Sequence, residues 1–333
     1  MQDTFRAFVV NRTEDTWSAD IKTLTAAELP EGNVTVRVAY SSVNYKDAMA
    51  ASPNNKVVKA YPMVPGIDLA GTVAESSDAR FKPGDPVIAT GYELGISHWG
   101  GYSELVRMPA DWLVPLPSGL SLREAMALGT AGFTAALSIH RLEQNGLTPG
   151  SGPVLVTGAS GGVGSLAVAM LTGLGYEVAA STGKDAEHDY LRQLGAGQIL
   201  HRSELTPDAI PPLQRQRWAG AVDAVGGKTL AFVLGTVRYG GSVAVSGVTG
   251  GADVATTVYP FILRGVNLLG IDSVYCPMDT RLALWKRLAG DLKPKGLLEG
   301  ISQEITLDEL PKTLERTLGG TGKGRTIVKL SER

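Results

Sequence analysis

Thr157-Gly-Ala-Ser-Gly-Gly-Val-Gly164 follows directly on the apolar run Val154-Leu-Val156 and leads into a second one, Val163 to Leu174. Set against the dinucleotide fingerprint G-x-G-x-x-G, the frame is Ala159-x-Gly161-x-x-Gly164, with alanine in the first glycine slot. Gly161 lets backbone approach a pyrophosphate, and Gly164 lets the helix pack closely on its strand. The free N–H groups opening that helix add donors and a positive dipole end. No Gly-Lys-Ser/Thr follows, which excludes a Walker A loop. Gly158-Ala-Ser160-Gly-Gly162 also fits the G-x-S-x-G of hydrolases, but a phosphate turn explains the same residues better. A tight turn in a non-binding domain is the plain alternative; the order strand, glycine turn, helix favours dinucleotide binding.

Working outward, strand-like and helix-like segments alternate. After helix Val163–Leu174 come strand Val178–Ala180 and helix Ala186–Leu194. Further strands are predicted at Gln198–Leu200, Ala221–Val225, Ser242–Ser246 and Val266–Ile271. This is the pattern of a doubly wound parallel sheet. Upstream, Val34 to Tyr40 alternates with period two, and Pro62, Pro65, Gly66, Gly71, Pro83 and Gly84 punctuate short apolar runs such as Val87–Thr90. A β-rich, barrel-like domain is expected there. Ser121-Leu-Arg-Glu124 has capping-box spacing and opens a helical run to Leu128, followed by another at Thr134–Leu142. The tail Gly324–Leu330 reads as a final strand returning to the first domain. The expected division is therefore 1–124, completed by 299–333, and a nucleotide-binding domain at 125–298.

NAD sites usually end the second strand with a carboxylate for the ribose 2′-hydroxyl. Here that place reads Ser181-Thr-Gly-Lys184, a hydroxyl and ammonium set, and Arg202 follows the next strand. Glu177 and Asp185 lie at the wrong end of the strand or beyond the loop. This favours NADP(H). A thousandfold preference needs about 4 kcal/mol, and two charge-assisted hydrogen bonds at roughly 1.5–3 kcal/mol each suffice. An ordinary surface charge is the plain reading of either cation alone.

With 333 residues, two domains are the default. A net charge of −2 gives no electrostatic ground for nucleic acid or an anionic membrane as partner. Cys276 is the only cysteine, so no intrachain disulfide forms. Met1 to Val10 carries Asp3 and Arg6 without a long apolar core, and no stretch reaches the roughly 20 apolar residues of a span. A soluble, cytoplasmic protein is expected. One cysteine and four histidines, none at short metal-ligand spacing, argue against a zinc alcohol dehydrogenase mechanism and against any metal site.

Four blocks together resemble the medium-chain dehydrogenase/reductase superfamily: Asn44-Tyr-Lys-Asp47, Pro65-Gly-Ile-Asp-Leu-Ala-Gly71, Gly129-Thr-Ala-Gly-Phe-Thr-Ala135 and Gly158–Gly164. The zinc-dependent members carry Gly-His-Glu where this chain has Gly66-Ile-Asp68, so the likeness is to the zinc-free, quinone-oxidoreductase-like branch. Ser41–Asp47, His98-Trp-Gly-Gly101, Thr257–Arg264 and Gly270–Ser273 point more narrowly to the NADPH-dependent acryloyl-CoA reductases. The resemblance runs nearly end to end and implies a GroES-like β-barrel domain plus a Rossmann domain. It implies Tyr45 beside the nicotinamide, and Ser160, Gly161, Gly162 and Val163 along the pyrophosphate. It further implies Ser181, Thr182, Gly183, Lys184 and Arg202 around the 2′-phosphate, with Val248, Ile262 and Ser273 closing over the remainder. Many members are homodimers, so a second copy is one expected partner.

The implied reaction passes hydride from NADPH to the β-carbon of an α,β-unsaturated thioester such as acryloyl-CoA. The enolate oxygen needs a donor and the α-carbon a proton. Tyr45 is the candidate catalytic residue, with the cofactor's ribose hydroxyl as rival and a merely shape-giving aromatic as the plain alternative. Asp47 and Asp68 read as structural. Lys46, Lys56, Lys59 and Arg264 would form a basic mouth for CoA phosphates, although scattered lysines are ordinarily just solvated. Quinones or small enones are the alternative substrates. A nucleotide-binding sensor without turnover is the rival from another class.

Overall fold

The structure, a computed structural model, describes residues 4–14 and 16–331; residues 1–3 of the N-terminal segment read above and the last two residues of the tail lie outside them. The chain forms two compact units, Met1–Thr130 with Gly296–Arg333, and Ala131–Lys295.

In the first unit, β1 (Thr4–Arg12) and β2 (Trp17–Thr25) pair antiparallel. There follow β3 (Val34–Ser42), α1 (Tyr45–Ala50), β4 (Asp68–Ser76), β5 (Pro86–Thr90), β6 (Leu105–Met108) and β7 (Leu113–Pro115). β4 and β6 both pair antiparallel with β3, β5 with β4, and β7 with β5. The period-two pattern at Val34 predicts a strand with one buried face. The strand forms, but only Arg37 in it is exposed. The alternation is one of chemistry: Val34, Val36 and Val38 join the apolar core, while the buried hydroxyls on the other face find partners. Ser41 Oγ donates to Asp68 O at 2.7 Å, and Arg107 Nε donates to Thr35 Oγ1 at 3.4 Å.

The capping box is present. Ser121 N–H donates to Glu124 Oε2 at 2.8 Å and Glu124 N–H to Ser121 Oγ at 3.2 Å, opening α2 (Leu122–Gln144). Gly129, with φ 52°, interrupts that helix and explains why the sequence shows two apolar runs there.

The second unit contains β8 (Val154–Val156), α3 (Gly162–Gly173), β9 (Val178–Thr182), α4 (His188–Gln193), β10 (Gln198–His201), β11 (Trp218–Asp223), α5 (Gly227–Thr236), β12 (Val237–Val245), α6 (Tyr259–Arg264), β13 (Asn267–Gly270) and α7 (Met278–Leu288). Its sheet is wholly parallel in the order β10-β9-β8-β11-β12-β13. Counted from β8 this is 3-2-1-4-5-6, the doubly wound Rossmann order. Every residue of β8, β9 and β11 is buried, as expected of parallel strands covered on both faces. The strand order reverses between β8 and β11. Their carboxyl ends form the crevice where such sheets bind ligands.

After the second unit come β14 (Ser302–Thr306), α8 (Leu310–Leu318) and β15 (Arg325–Lys329). β15 pairs antiparallel with β3, Ile327 opposite Ser42, and parallel with β14. The predicted final strand thus returns to the first sheet. Among the described residues no helix is long and apolar enough to cross a membrane.

Candidate nucleotide site and a buried polar cluster

The glycine turn leaves the carboxyl end of β8 and enters α3, whose N-cap is Gly161. Gly158 has φ 58°, so the tight-turn role belongs to it, one residue before the alanine of the fingerprint frame. Ala159 is fully buried and its N–H donates to Ser181 O at 2.9 Å, tying the turn to β9. A Cβ on Gly164 would lie 2.3 Å from Gly158 O and 2.6 Å from Ala159 Cα. A Cβ on Gly161 would meet nothing closer than 3.3 Å. Gly164 therefore serves packing, and Gly161 leaves its surface open to approach. Gly164→Ala is expected to destabilise the second unit by about 1–3 kcal/mol, since backbone must give way. Thermal melts measure this, and an unchanged melting temperature would show the contact to be harmless.

The residues expected on the adenosine side come together at adjacent strand ends. Ser160 Oγ and Thr182 Oγ1 are 2.9 Å apart, both buried, and Lys184 N–H donates to Thr182 Oγ1 at 3.2 Å. Ser181 is buried in β9. Arg202 follows β10 directly, and its side chain crosses Gly183 so closely that a Cβ there would sit 2.5 Å from Arg202 Cδ and Nε. Burial pushes the Lys184 ammonium below the usual lysine range, with Glu187 opposing. Desolvation of a cation in this way favours a site that receives an anion. Gly162 and Val163 open α3. Val248, after β12, and Ile262, in α6, are strongly exposed, while Ser273 follows β13 and is partly buried. These three belong to the other half of the sheet, on the segments around β12 and β13.

Asp223, which the sequence reading passed over, ends β11 at the reversal point and is fully buried. It accepts from Thr157 Oγ1 at 2.6 Å and from Gly226 N–H at 2.7 Å, and burial raises its pKa. It stitches the carboxyl ends of β8 and β11 together. A lone acid closing the apolar run Trp218–Val222 was the available signal.

In the first unit, Tyr45 is the first residue of α1 and 44% exposed. Beneath it lies a buried polar cluster. Asp68 accepts from Ser42 Oγ at 2.5 Å, Asn44 Nδ2 at 2.8 Å and Thr130 N–H at 2.9 Å. Asp47 accepts from Ile67 N–H and Asn44 N–H, both at 2.9 Å. Burial, then the charge of Asp68, pushes the Asp47 carboxyl up to about 7. Arg325, from β15, is also buried and donates to Ser42 Oγ, Val43 O, Ala127 O and Asn44 Oδ1 at 2.8–3.2 Å, with Asp68 Oδ2 at 4.0 Å. Both aspartates are buried and bonded to the elements around them, and Arg325, which was not anticipated, joins them.

Among the described residues, no three His, Cys, Asp or Glu side chains are grouped to hold a metal ion. Ile67 stands in the Gly66-Ile-Asp68 block with its N–H given to Asp47. Of the four cations considered for a CoA mouth, Arg264 is otherwise engaged, donating to Gly235 O at 2.9 Å and Gln214 O at 2.6 Å. Lys59 pairs with Glu93 at 3.3 Å.

Residues 30–118 match the alcohol dehydrogenase GroES-like domain, and residues 162–289 the family described as zinc-binding dehydrogenase. The chain is 55% identical to a protein of Bacillus subtilis named "putative quinone oxidoreductase YhfP", over 99% of this chain and all of that one. It is also 55% identical to the acrylyl-CoA reductase AcuI of Ruegeria pomeroyi, over 97% and 98% of the two chains. The crystal structure of YhfP with NAD bound superposes with a TM-score of 0.96, covering 98% of this chain and 99% of that one. The YhdH oxidoreductase of Salmonella enterica in complex with NADP superposes at 0.95, with 48% identity over 98% and 100% of the chains.

Proposed function

The chain belongs to the medium-chain dehydrogenase/reductase superfamily, beside its quinone-oxidoreductase and acrylyl-CoA-reductase relatives, and from that premise we propose an NADP(H)-dependent reductase of conjugated carbonyl compounds. Quinones and small enones are the foremost substrates in this reading. The observation that carries the cofactor assignment is the strand-end set Ser160, Thr182, Lys184 and Arg202. Two hydroxyls and two cations stand where an NAD site would present an acid. The fit extends to the open face of Gly161, which a Cβ would narrow.

Gly162 and Val163 N–H groups would hold the pyrophosphate, Lys184 and Arg202 the 2′-phosphate, and Val248, Ile262 and Ser273 would close over the rest. When bound, the dinucleotide supplies the hydride. Tyr45 donates a hydrogen bond to the substrate oxygen as negative charge builds there, a contribution of roughly 3 kcal/mol. Acryloyl-CoA and close enoyl thioesters are the second reading, supported by the likeness to AcuI. A homodimer is supported by the edge strand β13, which among the described residues pairs with β12 alone and exposes Leu268; light scattering tests it.

NADPH oxidation measured side by side with a benzoquinone, acryloyl-CoA and crotonyl-CoA decides the substrate. A quinone preference supports the reading, a thioester preference replaces it with the second, and tight binding without consumption leaves a sensor. Lys184→Ala is expected to weaken NADPH about 10- to 100-fold, from roughly 1.5–3 kcal/mol of lost charge-assisted bonding, and to leave NADH nearly unchanged. Equal losses for both nucleotides would remove Lys184 from the 2′-phosphate site.

A further inference from the structure

We propose that Asn44 is the positioning residue of Tyr45, an inference that rests on the reading of Tyr45 as hydrogen-bond donor. α1 has six residues, too few to hold its own shape in water. Nearly half of Tyr45 is open to solvent, so packing alone does not hold it. Its direction is then set by the backbone from which it springs, and that backbone is held at Asn44.

The Asn44 N–H donates to Asp47 Oδ2 at 2.9 Å, and the Asn44 carbonyl accepts from Asp47 and Ala48 N–H at 3.1 and 3.2 Å. Its side-chain amide is fastened at both ends. Nδ2 donates to Asp68 Oδ2 at 2.8 Å and to Asp47 Oδ2 at 3.2 Å, while Oδ1 accepts from Arg325 Nη1 at 3.2 Å. Only an amide meets these demands. Reversed, it would press its N–H groups on the guanidinium and its oxygen on two carboxylates. Aspartate would add a third carboxylate, and serine could not span from the acids to Arg325. The charged and titratable groups facing Asn44 are Asp47 from α1, Asp68 from β4 and Arg325 from β15, with Tyr102 alongside, its hydroxyl donating to Ser42 O at 3.1 Å.

The test is a kinetic double-mutant cycle on the full chain with Asn44→Ser, Tyr45→Phe and both together. Asn44→Ser is expected to lower kcat at least tenfold, with the NADPH dissociation constant changed less than threefold. In the Tyr45→Phe background the same substitution is expected to cost less than threefold. An equal penalty in both backgrounds overturns the inference and leaves Tyr45 its role. Full turnover by Tyr45→Phe alone overturns the donor reading itself, and the inference falls with it. Should Asn44→Ser fail to fold, Asn44→Asp carries the same cycle. It is further expected to regain activity as pH falls and its carboxyl becomes a donor; activity that stays flat or falls would count against the inference.

Discussion

Exchange of Arg325 for methionine is expected to lower the stability of the first unit by about 3–5 kcal/mol, the usual consequence of removing one member of a buried charged cluster. The guanidinium gives hydrogen bonds to four acceptors contributed by β3 and the residue after it, the N-cap of α1 and the second turn of α2, and it lies 4.0 Å from Asp68. Methionine fills much of the volume but donates nothing. Two backbone carbonyls, the Asn44 amide oxygen and a buried carboxylate would then lack their compensating group. Lysine would not replace it, because one ammonium cannot reproduce a planar fork reaching four acceptors. The melting temperature of the transition belonging to this unit should fall on the order of 10 °C. A loss under about 1 kcal/mol would mean that water or a rearranged Asn44 meets the same needs. Adding Asp68→Asn to the methionine variant is expected to recover part of the loss, since the stranded negative charge is then gone.

That cluster also marks where sequence reasoning ends. The nucleotide half was legible because its signals are local: strand, glycine turn and helix are contiguous, and Ser181 to Lys184 ends the next strand, as its position demanded. Even so, the frame placed alanine in the first glycine slot, and only backbone angles show Gly158 making the bend. Arg325 had no such signal. Its partners lie 198 to 283 residues away in the chain, and an arginine opening a terminal strand resembles any solvated charge. Asp223 was hidden similarly, since its partner Thr157 is 66 positions distant. Burial of β3 on both faces was obscured because its second face is lined by hydroxyls, which a hydrophobic pattern counts as exposed. Val248, Ile262 and Ser273 were named through resemblance alone; the first two are exposed apolar residues and the third a partly buried serine, so no physical pattern singled them out.

Raising the pH from about 4 to about 7 is expected to remove stability through Asp47, opposite to the behaviour of a salt-bridged carboxylate. Burial, followed by the neighbouring charge of Asp68, raises this carboxyl from 3.8 to about 7 in the folded chain, against the lowering effect of bonds from Ile67 and Asn44. Between those values the folded protein keeps a proton that the unfolded chain has released. The slope of unfolding free energy with pH is therefore negative across the window and, for this group, flat above it. At about 1.4 kcal/mol per unit, the whole span amounts to roughly 4 kcal/mol. Asp223 is raised by burial too and contributes with the same sign, so the Asp47 share is isolated by comparison with Asp47→Asn, which cannot ionise. The variant starts less stable, because an amide cannot accept from both Ile67 and Asn44 as the carboxyl does. Its disadvantage should narrow by about 3 kcal/mol between pH 5 and pH 8, as the wild-type chain alone loses the favourable protonated form. Urea unfolding at several pH values measures the gap, and a gap constant across that range would mean that Asp47 is ionised throughout, with Arg325 rather than a proton balancing the pair of acids.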